Sequence, residues 1–348
     1  MNYADILPGV PYIDSPFFDE ITVEKDFDAP TREIASSLRE NGYAIIDFPD
    51  PDFAQKADRI RNDLSSNFDF GYWRENLWKN NQGLRIQDAW VSNEDVKSIA
   101  ANQTIIDILS RVYGKKAFPF QSLNFPVGTQ QHMHSDHAHF SSVPERFMCG
   151  VWVALEDVDE DNGTLEYWPK SHKIPSYINE HLGELSITNN SPIEHYKNYE
   201  SLWKILMDKL NIKREILTIK KGQALIWASN LIHGGTLHKD PNRTRWSQVT
   251  HYFFDECVYY TPMLSDPIFG SVHYREPMDI VTGEVKENKY SEHFVSKDVI
   301  SREKQMERIL PSDFNGNDYL SKNPDVQKAG INPIKHYLMH GIKEGRKW

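Results

Sequence analysis

Between Ala117 and Phe254 the chain is cut into short apolar runs separated by clusters of turn-forming residues. Phe118–Phe125, Cys149–Leu155, Ile216–Ile219, Ala224–Trp227 and Thr250–Phe254 are each of strand length. Each is too short for a helix that buries a whole face, and Pro, Gly, Asn and Asp recur in the gaps. Short strands without long crossover helices pack as an antiparallel sandwich or barrel. The expected fold is therefore mainly β with flanking helices, an antiparallel sandwich or barrel over about 117–255. Nine Trp and sixteen Tyr either fill that core or line a broad cavity within it.

The flanks read differently. Residues 1–30 are rich in Pro, Asp and Phe without a clear period and suggest an irregular arm. Thr31–Asn41 has helical composition and stops at Gly42, and Tyr43–Phe48 reads as a buried strand closed by Pro49 and Pro51. Asp52–Leu64 and Val96–Tyr113 each read as one amphipathic helix, the second ending at Gly114. Residues 175–213 interrupt the strand rhythm with polar, helical sequence and suggest an insertion lying as a lid over the barrel mouth. Residues 255–310 suggest loops and one helix. We expect one domain over residues 1–310 and a small helical appendage over 314–348, where Pro and Gly break the chain into two or three short helices.

The formal net charge is −11, which argues against nucleic acid or an anionic membrane as partner, since both demand a basic face. Two cysteines, Cys149 and Cys257, are too few for a disulfide framework or a Cys-rich zinc site. Residues 1–16 lack the basic and apolar regions of a signal peptide, and no apolar run is long enough to span a bilayer. These features point to a cytoplasmic protein without membrane insertion, and the charge by itself names no partner.

Two segments about a hundred residues apart carry the chemistry. In Gln131-His132-Met133-His134-Ser135-Asp136, strand alternation would put His132, His134 and Asp136 on one face, with His137 and His139 on the other. His134 and Asp136 have the spacing of the first two ligands of a 2-His-1-carboxylate triad. His233 is the best third ligand, because it follows a strand-like run and precedes Gly234-Gly235, which lets backbone approach closely. Such a triad leaves three positions on Fe(II) for a bidentate 2-oxo acid and O2. Arg245, twelve residues after His233, offers a fixed planar cation for the distal carboxylate of 2-oxoglutarate, with Ser247 on the same strand face. Arg243 shares that face and competes. His-x-His at 132 and 134 also permits a three-His arrangement, but Ala138 stands where that arrangement wants a Glu. Basic residues between Lys197 and Lys221 either meet an anionic group or form a solvated face.

These blocks resemble the phytanoyl-CoA dioxygenase family of Fe(II)/2-oxoglutarate oxygenases over roughly residues 35–255. The resemblance rests on Gly128–Gln131 leading into His134-Ser135-Asp136, and on Ala154–Asp157, Asn162–Glu166 and Pro169–Lys173. It continues from Gly222 through His233-Gly234-Gly235 to Arg245 and His251-Tyr252. It implies a double-stranded β-helix (jelly roll), with His134, Asp136 and His233 on Fe(II) as the catalytic metal set. Arg245, which keeps the spacing to His251-Tyr252 better than Arg243, would hold 2-oxoglutarate. Asn124, Trp152 and Ser247 would lie beside it. Ser135 and Lys170 depart from the usual Gln and Gly, and the segment Ser65–Glu94, with Trp73, Trp78 and Trp90, follows no family pattern.

The implied reaction consumes 2-oxoglutarate and O2, releases succinate and CO2, and hydroxylates a small polar substrate. Retention of Asp136 favours hydroxylation over halogenation, while desaturation, cyclisation and epimerisation start from the same centre. Residues 314–348 resemble a module of bacterial polysaccharide-biosynthesis glycosyltransferases through Asn323-Pro324-Asp325-Val326, His336-Tyr337-Leu338 and Glu344-Gly345-Arg346. That resemblance implies a sugar-linked substrate, or a non-catalytic jelly roll that contacts a protein or glycan through the tail. A plain helical appendage packed on the barrel or on a neighbouring subunit is the other reading.

Overall fold

The computed structural model describes residues 2–76, 84–184, 186, 192–267, 270–301, 314–331 and 333–348. Among them, six strands form one antiparallel sheet. In spatial order these are β1 (Tyr43–Asp47), β8 (Gln223–Ala228), β5 (Met148–Ala154), β10 (Ser247–Phe254), β3 (Ala117–Phe125) and β2 (Ile86–Gln87). A smaller sheet orders β7 (Glu215–Ile216), β6 (Leu165–Tyr167) and β9 (His233–Gly235), and β4 (Ser141–Val143) pairs with β11 (Val258–Tyr260). The two sheets and the helices flanking them make a double-stranded β-helix, as the family resemblance implies.

Every residue of β5 and β10 is buried, because both faces of the large sheet are covered. On one face lie α2 (Ala29–Asn41), α3 (Phe53–Leu64), α5 (Glu94–Ala100) and α6 (Gln103–Tyr113). Their apolar stripes, among them Leu38, Ile60, Ile99 and Leu109, pack with Val151, Ile226 and Phe253 of the sheet. Each such side chain contributes about 1.5–3 kcal/mol on full burial. On the other face Phe125, Trp152, Leu225 and Val249 meet Leu217, Ile219 and Tyr167 of the smaller layer. The active cavity opens within this second face.

Several local expectations are corrected. Val96–Tyr113 is two helices, broken where the Asn102 side chain accepts from Ile105 N and caps the second. β1 is an edge strand with Ile45 exposed, so it is half-buried rather than buried. The N-terminal arm is not wholly irregular, because Phe18–Glu24 is helical and Ile13, Phe18 and Phe27 join the main core. After β11 the chain adds a hairpin, Lys289–Tyr290 with His293–Phe294.

Within 175–213 the structure has the short helix Asn179–Leu182 (α7) and a long one, Pro192–Leu210 (α8). Tyr199, Trp203 and Met207 of α8 pack with Trp168, Ile232 and Met263. The terminal segment forms short helices at Gly316–Lys322, Pro324–Lys328 and Pro333–His336, as read from its Pro and Gly. They close on a small cluster of Phe314, Tyr319, Val326 and Tyr337. No helix among the described residues is long and apolar enough to cross a membrane. Trp73 packs against Leu84 and Val127, whereas Trp78 lies outside the described residues.

Candidate metal centre

His134 and His233 are backbone neighbours. The amide of each donates to the carbonyl of the other, at 2.8 and 3.0 Å. This bridge joins the two ligand-bearing segments directly, and Gly234 and Gly235 make it possible. A β-carbon on Gly234 would lie 3.0 Å from the Gln131 carbonyl oxygen, and one on Gly235 would lie 3.0 Å from Gln130 N. The glycine pair therefore serves close approach between two backbones. Asp136 opens a one-turn 3-10 helix, Asp136–Ala138, which swings its carboxylate between the two imidazoles. The ligating atoms of His134, Asp136 and His233 lie within 4.8 Å of one another, and all three residues are buried. Asp136 Oδ1 is 3.8 Å from His134 Nε2 and 3.9 Å from His233 Nε2.

Neighbouring groups fix which atoms face inward. His134 Nδ1–H donates to the His132 carbonyl (2.9 Å) and His233 Nδ1–H to the Leu231 carbonyl (3.0 Å). A carbonyl only accepts, so both rings carry their proton on Nδ1 and turn the Nε2 lone pair toward the centre. Trp227 Nε1–H donates to Asp136 Oδ2 at 2.7 Å, occupying one carboxylate oxygen and leaving Oδ1 for a metal. The Trp227 indole reaches that far because it lies over Gly150, its partner across β5 and β8, where a β-carbon would overlap the ring.

The electrostatics suit a divalent cation. Burial pushes His134 down to about 3, reinforced by His233, so the ring is neutral and a competent ligand near pH 7. Burial alone would raise the Asp136 carboxyl, but His233, His251, His134 and the Trp227 hydrogen bond outweigh it and hold it at about 2. His251, from the His251-Tyr252 pair, stands beside the carboxylate, its Nε2 3.7 Å from Asp136 Oδ2 and its Nδ1 2.9 Å from Gln121 Oε1. Trp227 and His251 are site residues that the ligand pattern did not single out. A glycine inside the β5 strand pattern was the available signal for a close approach there.

The triad opens into a cavity of about 470 Å³, and Arg245 lines it. Arg245 is only 1% exposed. Its Nη1 donates to Ser247 Oγ at 2.8 Å, its guanidinium carbon is 5.5 Å from the Phe125 ring and 5.8 Å from that of Trp152, and its Nε has no partner. Burial pushes its pKa down to about 10, with Glu156 opposing, so the group stays charged at neutral pH. A buried, charged, half-satisfied guanidinium beside a 2-His-1-carboxylate set fits a dicarboxylate co-substrate on iron. Trp152 also lines the cavity, and its Nε1 is buried without a partner.

Other expected site residues lie elsewhere. Arg243 does not compete for the cavity, since both its terminal nitrogens are engaged by Asp159 at 2.8 and 3.0 Å. Asn124 is corrected: β3 turns Gln121, Leu123 and Phe125 into the cavity, so Asn124 faces the opposite side and donates to Gln248 Oε1. Ser247 acts on Arg245 by accepting its hydrogen bond. His132 is exposed and outside the ligand set. The alternation expected over 132–139 fails because this segment is a bridge followed by a 3-10 turn. His139 therefore lines the cavity, while His137 turns away to Ser141. Lys220, Lys221 and Arg214 form outward ion pairs with Asp157, Asp58 and Glu166.

The blocks of sequence between the ligands are scaffolding. Asn162 Nδ2 donates to the Thr244 carbonyl and Glu156 accepts from Thr244 Oγ1 and Trp246 N, which clamps both neighbours of Arg245. Ser171 Oγ accepts from Ile232 N, and the His172 carbonyl accepts from Asn230 Nδ2, which fixes the loop leading to His233.

A jelly roll with two histidines and one carboxylate at its open mouth, and a buried arginine beside them, defines the class of non-haem iron oxygenases. The chain matches the phytanoyl-CoA dioxygenase (PhyH) family over residues 38–245 and belongs to it. It is accordingly an oxygenase that uses iron and 2-oxoglutarate. The carbocyclase SnoK from nogalamycin biosynthesis, a non-haem alpha-ketoglutarate-dependent enzyme, shares the fold. Its TM-score is 0.51 at 16% identity, covering 68% of this chain and 88% of that one. The epimerase SnoN, in complex with Fe3+, alpha-ketoglutarate and nogalamycin RO, has a TM-score of 0.49 at 16% identity over 66% and 86% of the two chains. EctD from S. alaskensis, with 2-oxoglutarate and 5-hydroxyectoine, has 0.45 at 15% identity over 78% and 83%. No curated protein sequence matches the chain.

Proposed function

We propose that this protein is an Fe(II)- and 2-oxoglutarate-dependent dioxygenase that hydroxylates a small polar, sugar-linked substrate. The observation that carries the dioxygenase reading is Arg245, buried and charged in the same cavity as the His134–Asp136–His233 set. When bound, iron with 2-oxoglutarate and O2 supplies the oxidation and releases succinate and CO2. His134 Nε2, His233 Nε2 and Asp136 Oδ1 would hold the metal. Trp227 occupies Asp136 Oδ2, so a bound metal would be offered the other carboxylate oxygen. Arg245, steadied by Ser247, pins the distal carboxylate, and Leu123, Phe125 and Trp152 exclude water around it.

Tyr196 of α8 reaches the cavity and lies 5.0 Å from the His139 ring, which supports residues 175–213 as a cover over the substrate. The sugar-linked part of the reading draws on the resemblance of residues 314–348, which we propose as a separate module, residues 1–310 being the oxygenase domain. Its exposed surface is the place for a protein or glycan contact. Two buried free thiols, Cys149 and Cys257, favour a reducing compartment, the cytoplasm.

An anaerobic titration with Fe(II) and 2-oxoglutarate tests the core of this reading through the visible metal-to-ligand charge-transfer band. We expect the band in the wild type. Arg245→Ala should weaken 2-oxoglutarate by about 3 kcal/mol, roughly two orders of magnitude, as for a buried charge pair that loses one partner. Arg243→Ala should change it by less than about 1 kcal/mol, since its ion pair is partly exposed. No band with wild-type protein would sink the oxygenase reading. A second reading keeps the same centre with a different outcome, which the SnoK carbocyclase and its shared fold favour. Mass analysis separates the two, because hydroxylation adds one oxygen and cyclisation or desaturation removes two hydrogens.

A further inference from the structure

The cavity has more positive charge than iron chemistry requires. Three arginines line it, Arg85, Arg245 and Arg275, and Asp136 is the one acidic side chain among the described lining residues. Asp136 belongs to the metal and Arg245 to the co-substrate. Among the described residues, Arg85 and Arg275 are then two cations without a carboxylate partner in the cavity, in a protein whose net charge is −11.

Arg275 is built into its place. Its amide donates to the Tyr259 carbonyl in β11 at 2.8 Å, and its own carbonyl accepts from Asn288 Nδ2 at 2.8 Å. Its guanidinium carbon sits 4.6 Å from the Phe140 ring centre, and Nη1 donates to Thr261 Oγ1 at 3.1 Å. Its Nε is buried and has no partner. Among the described residues no carboxylate forms an ion pair with Arg275 or with the exposed Arg85. Holding a guanidinium this way costs solvation that only an incoming anion restores.

This end of the cavity is separate from the Arg245 end. Arg245 stacks near Phe125, which pairs with Ser247, whereas Arg275 lies over Phe140, whose ring is 5.1 Å from that of His251. His251 pairs with Gln121, four residues along the same ladder, a distance of about 13 Å in extended strand. Arg85, Arg275, His139 and His251 all line the same cavity.

We propose that Arg275 and Arg85 form a subsite for an oxyanion of the primary substrate, a carboxylate or a phosphate ester. The substrate is therefore a small acid or a phosphorylated molecule held by its anion beside the iron. This deepens the oxygenase reading and rests on it for the identity of the site, but neither arginine is a metal ligand, so binding can be measured with or without iron.

Calorimetric titration of the full-length protein with inorganic phosphate and with acetate tests the subsite. It is run anaerobically with Fe(II) and 2-oxoglutarate present, and again without either. Saturable binding of one anion is expected in both conditions. Arg275→Gln should weaken it at least tenfold and Arg85→Gln severalfold, with the 2-oxoglutarate midpoint of the charge-transfer band unchanged in both variants. The intact band shows that each variant is folded. A preference for phosphate selects a phosphorylated substrate, and a preference for acetate selects an acid. The subsite is disproved if neither anion binds, if Arg275→Gln leaves binding unaltered, or if that variant instead weakens 2-oxoglutarate. A missing charge-transfer band with intact anion binding would overturn the oxygenase reading alone.

Discussion

Trp227 does for Asp136 what two backbone carbonyls do for the histidines. Each metal-facing group has its second polar atom already engaged, which leaves one lone pair directed at the centre. Removing that support should cost affinity without removing a ligand. Trp227→Phe keeps an aromatic ring but deletes the Nε1 donor together with half of the indole, and we expect Fe(II) to bind about 10–100-fold more weakly. Anaerobic Fe(II) titration reads this directly, and an unchanged dissociation constant would remove Trp227 from the site. At this scale the triad and Arg245 were legible, because residue types and spacing mark them. Trp227, His251 and Arg275 were not, because each acts across the fold on a residue far away in sequence.

Among the elements, β5 and β8 set the position of Trp227. The indole occupies space that any side chain at position 150 would fill. Gly150→Ala should therefore destabilise the protein by about 1–3 kcal/mol through overpacking and weaken iron at the same time. Thermal unfolding and Fe(II) titration should shift together; a normal melting temperature with normal iron affinity would contradict the packing argument. The helices and strands themselves were largely readable. Gly42 and Gly114 end α2 and α6 in the left-handed region, as their places in the sequence suggest. The break at Asn102 is hidden in the sequence because the apolar pattern continues through it and only the cap interrupts the backbone. The 132–139 segment departs from the expected alternation for a related reason: period-two alternation applies to a strand, and this stretch is a bridge and a turn.

For the whole molecule, buried neutral histidines set the response to acid. Burial pushes His137, His172 and His251 each down to about 4, against an ordinary value of 6.5. Between those values the unfolded chain binds protons that the folded chain does not, so stability falls as pH drops through that window and is flat above it. Each such ring costs about 1.4 kcal/mol per pH unit below its unfolded pKa. Asp136, held at about 2 against 3.8, acts lower: its contribution is present above 3.8 and lost as pH falls toward 2. The melting temperature of metal-free protein should be level from about pH 7 to 8 and fall steeply below about 6.5. His172→Gln should make that fall shallower. A melting temperature that holds steady down to about pH 5 would show that these rings are not kept neutral by the fold.

The amino-acid sequence by itself determined the β-rich class and the flanking helices, and it marked the candidate ligand set with its arginine. Strand length, turn residues and motif spacing are local properties, written where they act. Only the tertiary structure decided which side chains of β3 enter the cavity, that Arg245 and not Arg243 is buried there, and that Arg85 and Arg275 line the same cavity as His139 and His251. Those outcomes depend on how distant strands pair and on which face the second sheet covers. Burial then decides which charges are solvated at the surface and which are left in the cavity to be met by a ligand.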